Sequence, residues 1–292
     1  MRLLPVGTLI LWVVAGAGAI LAVDHSWILA AVCVFLASVA TNSTMLTLHE
    51  AVHRTLTENP RLNDALGVAV GVLLVTPFSA YKFVHMSHHG MLGSERDLEF
   101  WPYVDRRKSL FVRRLTAVTE LLASPITYGI LFSRVALKQL LPASIVRRIR
   151  WEYALIGVIW VPVLAGIAIT GTWVPFILAF VIPLWLGANM QSWRRLIEHL
   201  GLTGDDTLSM TRTVIATNPI ERLYSLIMMH ENYHGPHHSK GRVPWQSLPA
   251  MTREMYPPGS PQRALLFRSY LTAVPHMLKA LARPEIGPQW RH

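Results

Sequence analysis

The sequence predicts an all-α integral membrane protein, with four transmembrane helices and a cytoplasmic helical cap, in which residues 1–292 form a single domain. Composition sets the class. The chain is 52% hydrophobic and only 15% charged, with positive mean hydropathy, whereas a soluble domain carries roughly 25% charged residues. Apolar runs near the roughly 20 residues that cross a bilayer supply the spans. Ten of the 13 histidines gather in four short patches close to the ends of those runs.

The first run, residues 3–23, is long enough for a span, and a second follows almost at once, which argues against a cleaved signal peptide beginning at Arg2. Gly16-Ala-Gly18 lacks the third glycine and the acidic residue of a dinucleotide fingerprint and reads as small residues for helix packing. After a polar turn at Asp24-His25-Ser26, residues 27–48 form the second span and run directly into His49. Its Cys33 reads as a small buried hydrophobe and, as the single cysteine, makes no intrachain disulfide. Residues 66–78 are too short to cross and contain Gly67, Gly71 and Pro77; they read as an interfacial or re-entrant segment.

A charged loop at 94–108 holds Glu95, Asp97, Glu99 and Asp105, and residues 111–141, divided at Pro125, read as two amphipathic helices on the membrane surface. Residues 153–170 and 173–190 form a hairpin of spans around Gly171-Thr172, with Pro162, Pro175 and Pro183 expected to kink them. Trp151, Trp160, Trp173, Trp185 and Trp193, near span ends, read as interfacial anchors.

Orientation follows from charge. The outer turns at Asp24 and Gly171 contain no Lys or Arg, while Arg54, Arg61, Arg147, Arg148, Arg150, Arg194 and Arg195 flank the other ends. Both termini and all histidine patches are therefore expected on the cytoplasmic side. The net charge of +10 reports orientation and affinity for anionic head groups. No basic stripe is interleaved with aromatics, so nucleic acid is not implied.

The patches are His49-Glu50-Ala-Val-His53, His85-Met-Ser-His88-His89, His199 after Glu198, and His230-Glu231-Asn232-Tyr-His234-Gly-Pro-His237-His238. On a helix, residues three and four apart share a face, so each cluster can aim imidazoles in one direction. Neutral imidazole ligates zinc, copper, iron and nickel. His49 to His53 and His230 to His234 each match H-E-x-x-H, the zinc metalloprotease motif. A protease needs three ligands and an open position, which leaves the remaining histidines without a role. Non-enzymatic metal transport lacks an acidic pathway, since the four expected spans hold no Asp or Glu. Eight to ten imidazoles suit two metals, and an all-nitrogen set favours a redox-capable ion such as iron over magnesium or calcium. His25, His276 and His292 lie outside every patch and read as surface or terminal residues.

The order H-x-x-x-H, H-x-x-H-H, H-x-x-H-H resembles the integral-membrane fatty acid desaturase and hydroxylase superfamily over roughly residues 48–249. Asn232-Tyr-His234-Gly-Pro-His237-His238 followed by Val243-Pro-Trp245-Gln-Ser-Leu-Pro249 is similar to that superfamily's bacterial branch. Glu198-His199-Leu-Gly201 is similar to its extra histidine after the last span.

The resemblance implies a non-haem di-iron centre ligated by His49, His53, His85, His88, His89, His199, His234, His237 and His238, with dioxygen as co-substrate. It implies an oxidoreductase that desaturates a fatty acyl or related lipid chain in a bacterial inner membrane, with hydroxylase or ketolase chemistry, carotenoid types included, left open. His230 is placed as an outer hydrogen-bonding residue or tenth ligand, and Glu50, Asp97, Glu198, Glu231 and Asn232 as residues that orient imidazoles. Arg195 stands where some acyl-CoA desaturases have an asparagine. There is no H-P-G-G haem motif and no cysteine set for an iron-sulfur cluster, so electrons are expected from a separate donor such as a ferredoxin with its reductase.

Overall fold

The computed structural model describes residues 3–137 and 141–290; Arg2, Lys138 and His292 lie outside the described residues. The chain divides into two compact units, residues 1–82 with 129–190 and residues 83–128 with 191–292.

The first unit is built from α1 (Leu4–Ala22), α2 (Trp27–His53), α3 (Pro60–Leu73), the start of α4 (Phe78–Met91), α6 (Ala143–Thr170), α7 (Trp173–Phe176) and the first half of α8 (Ile182–His199). Ser26 starts α2 by accepting a hydrogen bond from the Leu29 amide at 3.3 Å. Gly171 ends α6 in the left-handed region, at φ 67°. The small residues of α1 do pack helices: a Cβ on Gly16 would stand 3.0 Å from Ala179 Cβ, and one on Gly18 would stand 3.1 Å from Cys33 Sγ. Cys33 itself is only half-buried.

The hydroxyls of α2 are satisfied within the helix. Ser38, Thr41 and Thr44 donate to the carbonyls four residues back at 2.7, 2.8 and 2.9 Å, which lets a polar stretch sit inside an apolar unit. Pro183 follows a π-helical turn at Ile177–Val181 and has no N–H to give the Ala179 carbonyl. The Trp12 indole donates to that carbonyl at 3.0 Å.

The short segment expected at residues 66–78 is the turn between α3 and α4, which are bent by 108°. Here the glycines allow close approach and leave α3 helical. A Cβ on Gly71 would stand 2.5 Å from the Thr76 carbonyl oxygen, and one on Gly67 would run into the Phe78 ring.

By length and composition, five helical stretches among the described residues can cross a membrane, or six if the bent α3–α4 pair is one span. The addition to the expected four is α5 (Leu110–Leu137), a single helical stretch whose backbone breaks at Ala123 (φ −147°, ψ 50°), just before Pro125. Two tryptophans also depart from the anchor reading. Trp160 donates to the Val72 carbonyl at 2.7 Å, and Trp193 donates at 3.0 Å to Leu121, the carbonyl that Pro125 leaves without an N–H. Trp151 and Trp173 remain exposed.

The second unit contains most of α4, the start of α5, the end of α8, α9 (Pro219–Ile227), α10 (His234–Ser239), α11 (Leu248–Met255) and α12 (Tyr270–Ala280). A short parallel pair, β1 (Thr213–Val214) with β2 (Leu266–Phe267), ties its loops together. Its core gathers Phe100, Tyr103, Leu196, Leu200, Met277 and Ile286. Residues 282–290 bind this core along their length. Gly201 N donates to Glu285 O at 2.9 Å, Gly287 N to Leu202 O at 2.9 Å, and the Trp290 indole to Tyr103 O at 3.0 Å. Arg113 adds an ion pair to Glu285 at 3.1 Å.

Gly287 has φ 109°, and an added Cβ there would collide with the Gly93 carbonyl oxygen. Gly287→Ala is therefore expected to destabilise this unit by about 1–3 kcal/mol. Thermal unfolding of the purified variant checks this, and an unchanged melting temperature would contradict it.

Candidate metal centre

Each histidine patch sits where local structure directs its rings. His49 and His53 lie one turn apart at the end of α2, with ring centroids 4.7 Å apart. His85, His88 and His89 fall on α4, and His234, His237 and His238 on α10. His199 is the last residue of α8. Consecutive residues on a helix point about 100° apart, so the pairs 88–89 and 237–238 feed two different groups.

In the second unit, His88, His199, His234 and His238 bring ligand nitrogens within 4.8 Å of one another, all from buried side chains. His85, His89 and His237 do the same beside them. His199 Nε2 faces His234 Nε2 at 2.7 Å, His88 Nε2 faces His238 Nε2 at 3.1 Å, and His89 Nε2 faces His237 Nε2 at 3.0 Å.

The outer nitrogens show why these pairs want a cation. His199 donates its Nδ1 hydrogen to the Met210 carbonyl at 2.9 Å, so its Nε2 carries a lone pair. His234 Nδ1 lies 3.4 Å from a Glu198 carboxylate oxygen without completing a hydrogen bond to it. Burial, above all, holds the His234 ring well below the ordinary imidazole pKa, with the Arg194 charge acting in the same sense. His199 Nε2 thus offers a lone pair towards His234 Nε2 across 2.7 Å, and a cation bound there would be shared by both rings. The facing pairs, at 2.7, 3.1 and 3.0 Å, are close enough that both nitrogens of each could reach one ion at roughly 2.1 Å. The donor set fits a transition-metal ion.

Carboxylates complete the orientation. His88 donates Nδ1–H to Asp97 at 2.9 Å, and His85 donates to Glu99 at 2.9 Å. His237 Nδ1 lies 3.3 Å from Glu231, and His49 Nδ1 lies 3.6 Å from Glu50. Phe100 wedges its ring against both His88 and His199, at 4.9 and 4.8 Å.

Of the expected orienting residues, Asp97, Glu198, Glu231 and Glu50 do face histidines. Asn232 does not: its side chain accepts from Ser225 Oγ and donates to the Val214 carbonyl, each at 2.7 Å. His230 stands outside both groups. It precedes α10 at φ 55°, donates Nδ1–H to Ser225 at 2.7 Å and lies 5.2 Å from the Trp245 ring. The 230–234 pair therefore does not share a helical face as H-E-x-x-H requires. Arg195 turns away from the imidazoles to Glu120 at 2.8 Å and the Glu99 carbonyl at 2.8 Å.

Glu99, Phe100, Met210 and Tyr270 are site residues that sequence reasoning missed. Glu99 had a faint signal, two positions from Asp97 and so within reach of the same helix. Tyr270 donates to Glu198 Oε1 at 3.0 Å; burial and then the Glu198 charge push its phenol well above the ordinary pKa, so it stays a donor.

Apolar helices and convergent buried imidazoles define the class first: a multi-helix membrane protein with a nitrogen-donor site suited to metal. The family model described as fatty acid desaturase matches residues 25–270, and the chain belongs to the fatty acid desaturase family. Membership makes it an oxidoreductase with a lipid substrate. No curated protein matches the chain.

Proposed function

We propose that this protein is an oxygen-dependent membrane desaturase that introduces a double bond into a fatty acyl or related lipid chain at a histidine-ligated pair of irons. His88, His199, His234 and His238 hold one ion. His85, His89 and His237 hold the other, to which the order of the histidine motifs in the sequence assigns His49 and His53 as well. The observation that carries the reading is the convergence of four buried imidazoles, those of His88, His199, His234 and His238, with ligand nitrogens within 4.8 Å of one another. When bound, the irons supply activation of dioxygen for removing hydrogen from an unactivated C–H bond.

The chain's own residues supply geometry and dryness. Asp97, Glu99 and the Met210 carbonyl fix tautomers so that Nε2 faces inward. Phe100 excludes water from the space beside His88 and His199. None of the imidazoles is needed as an acid or base. Metalloprotease chemistry is disfavoured because Glu231 lies against His237 and Arg194, and Glu50 accepts from Thr55 at 2.5 Å.

Four helices cross the membrane in this reading, α1, α2, α6 and α7 with α8, with both termini cytoplasmic. α5 lies at the interface: it exposes Phe111, Leu115, Val118 and Leu122 but buries Arg113, Glu120 and Ser124 on its other face. A separate electron donor, such as a ferredoxin with its reductase, meets a basic surface that includes Arg106, Arg107, Lys279 and Arg283, all exposed.

Mass spectrometry of lipids from a host expressing the chain, with and without His88→Ala, tests the proposal. A new product lighter by two hydrogens is expected with the unmodified chain and none with the variant. A product heavier by one oxygen would make the enzyme a hydroxylase. Metal analysis finding one zinc and no iron would overturn the reading.

A further inference from the structure

We propose that Tyr270 is a positioning residue for the metal donor His234, acting through the buried carboxylate of Glu198. The inference rests on the metal reading above.

Among the imidazoles of the four-histidine group, His88 and His199 have close acceptors of their own, Asp97 and the Met210 carbonyl, each at 2.9 Å. His234 Nδ1 completes no hydrogen bond among the described residues and has only the charge of Glu198 Oε2 at 3.4 Å to orient it. The same Oε2 accepts from Arg194 Nη1 at 2.8 Å. A guanidinium fork prefers to take both oxygens of a carboxylate, and a swing of Glu198 into that arrangement would remove Oε2 from His234. The Tyr270 hydroxyl blocks the swing by donating to Oε1 at 3.0 Å. The carboxylate is pinned at both oxygens, and Oε2 stays turned towards His234.

Tyr270 is itself held. It is the first residue of α12, whose start is fixed by a capping box between Ser269 and Thr272. Its ring meets the Tyr224 ring edge-on at 6.0 Å. The hydroxyl makes no other hydrogen bond among the described residues. Removing it therefore changes the carboxylate and little else.

The test is a chelator competition with Co(II) alone as the probe ion, on the full-length protein in lipid nanodiscs. Tyr270→Phe keeps the ring and deletes the hydroxyl. It is expected to weaken binding at one of the two sites about tenfold, the low end of what outer-shell partners contribute, and to shift the visible absorption of that Co(II). Ser269→Ala, which weakens the start of α12 but keeps the hydroxyl, is expected to bind Co(II) like the unmodified chain. Wild-type affinity and spectrum in Tyr270→Phe would overturn the inference alone, as would an equal loss in Ser269→Ala, which would reduce Tyr270 to a fold effect. An unmodified chain that bound no Co(II) would overturn this inference and the proposed function together.

Discussion

Replacing His234 with alanine is expected to reduce bound iron from about two ions per chain to about one and to abolish the lipid product. The group that contains His234 has four imidazole donors, and losing one removes a quarter of the nitrogen donors that hold that ion. The variant also strips His199 of the partner its Nε2 faces at 2.7 Å. The loss should exceed the roughly 10–100-fold that removing an outer-shell partner costs. Elemental analysis of the iron-to-protein ratio, alongside lipid mass spectrometry, measures both consequences. A variant that kept two irons and its product would remove His234 from the ligand set. Because α10 is a short surface of contacts around buried rings, thermal unfolding should accompany the measurement, and a folded variant lacking one iron is the expected result.

Glu120→Gln should be the most damaging change in the second unit outside the metal ligands. Arg195 is buried and pairs with Glu120 at 2.8 Å, while its guanidinium lies over the Phe100 and Tyr128 rings at 4.7 and 5.2 Å. Deleting the negative partner leaves an uncompensated buried cation. That costs about 3–5 kcal/mol, a large part of the roughly 5–15 kcal/mol that holds a domain folded. Phe100 also touches His88 and His199, so disorder there should loosen metal binding as well. Denaturant titration of the variant gives the size of the loss. Replacing both partners by apolar residues, Glu120→Leu with Arg195→Met, should recover much of it; a double variant no better than Glu120→Gln would show that the pairing is not what matters.

The helices that carry the site were readable because their signals are local. His49 and His53, and His234 and His238, are spaced for one helical face, and the helices formed where that spacing indicated. Long apolar runs gave α1, α2, α6 and α8 for the same reason. α5 was not readable in full. Its sequence mixes Arg113, Arg114 and Arg134 with leucines, and only packing reveals that Arg113 and Glu120 turn inward beside Ala117 and Leu121 while Leu115 and Leu122 face out. The assignments of Asn232 and His230 missed because they relied on proximity in sequence to the ligands. A left-handed backbone at Met229 and His230 breaks the register, and both side chains go to Ser225. Tyr270 and the Met210 carbonyl were invisible for a related reason: they reach their targets across 72 and 11 residues, and no periodicity marks such a partner.

The histidine-bearing unit is assembled from two stretches of chain, residues 83–128 and 191–292, with the hairpin of α6 and α7–α8 inserted between them. During synthesis, a ribosome that has made His88 must therefore deliver that hairpin to the bilayer before His199, His234 and His238 exist. Until then the first stretch waits with its donors incomplete, a long wait of the kind that exposes nascent chains to misassembly. In the proposed reading, iron delivery to the four-histidine group therefore follows translation, and a cell short of iron is expected to accumulate inserted but unmetallated protein, visible as a membrane pool that gains activity when iron is restored without new synthesis.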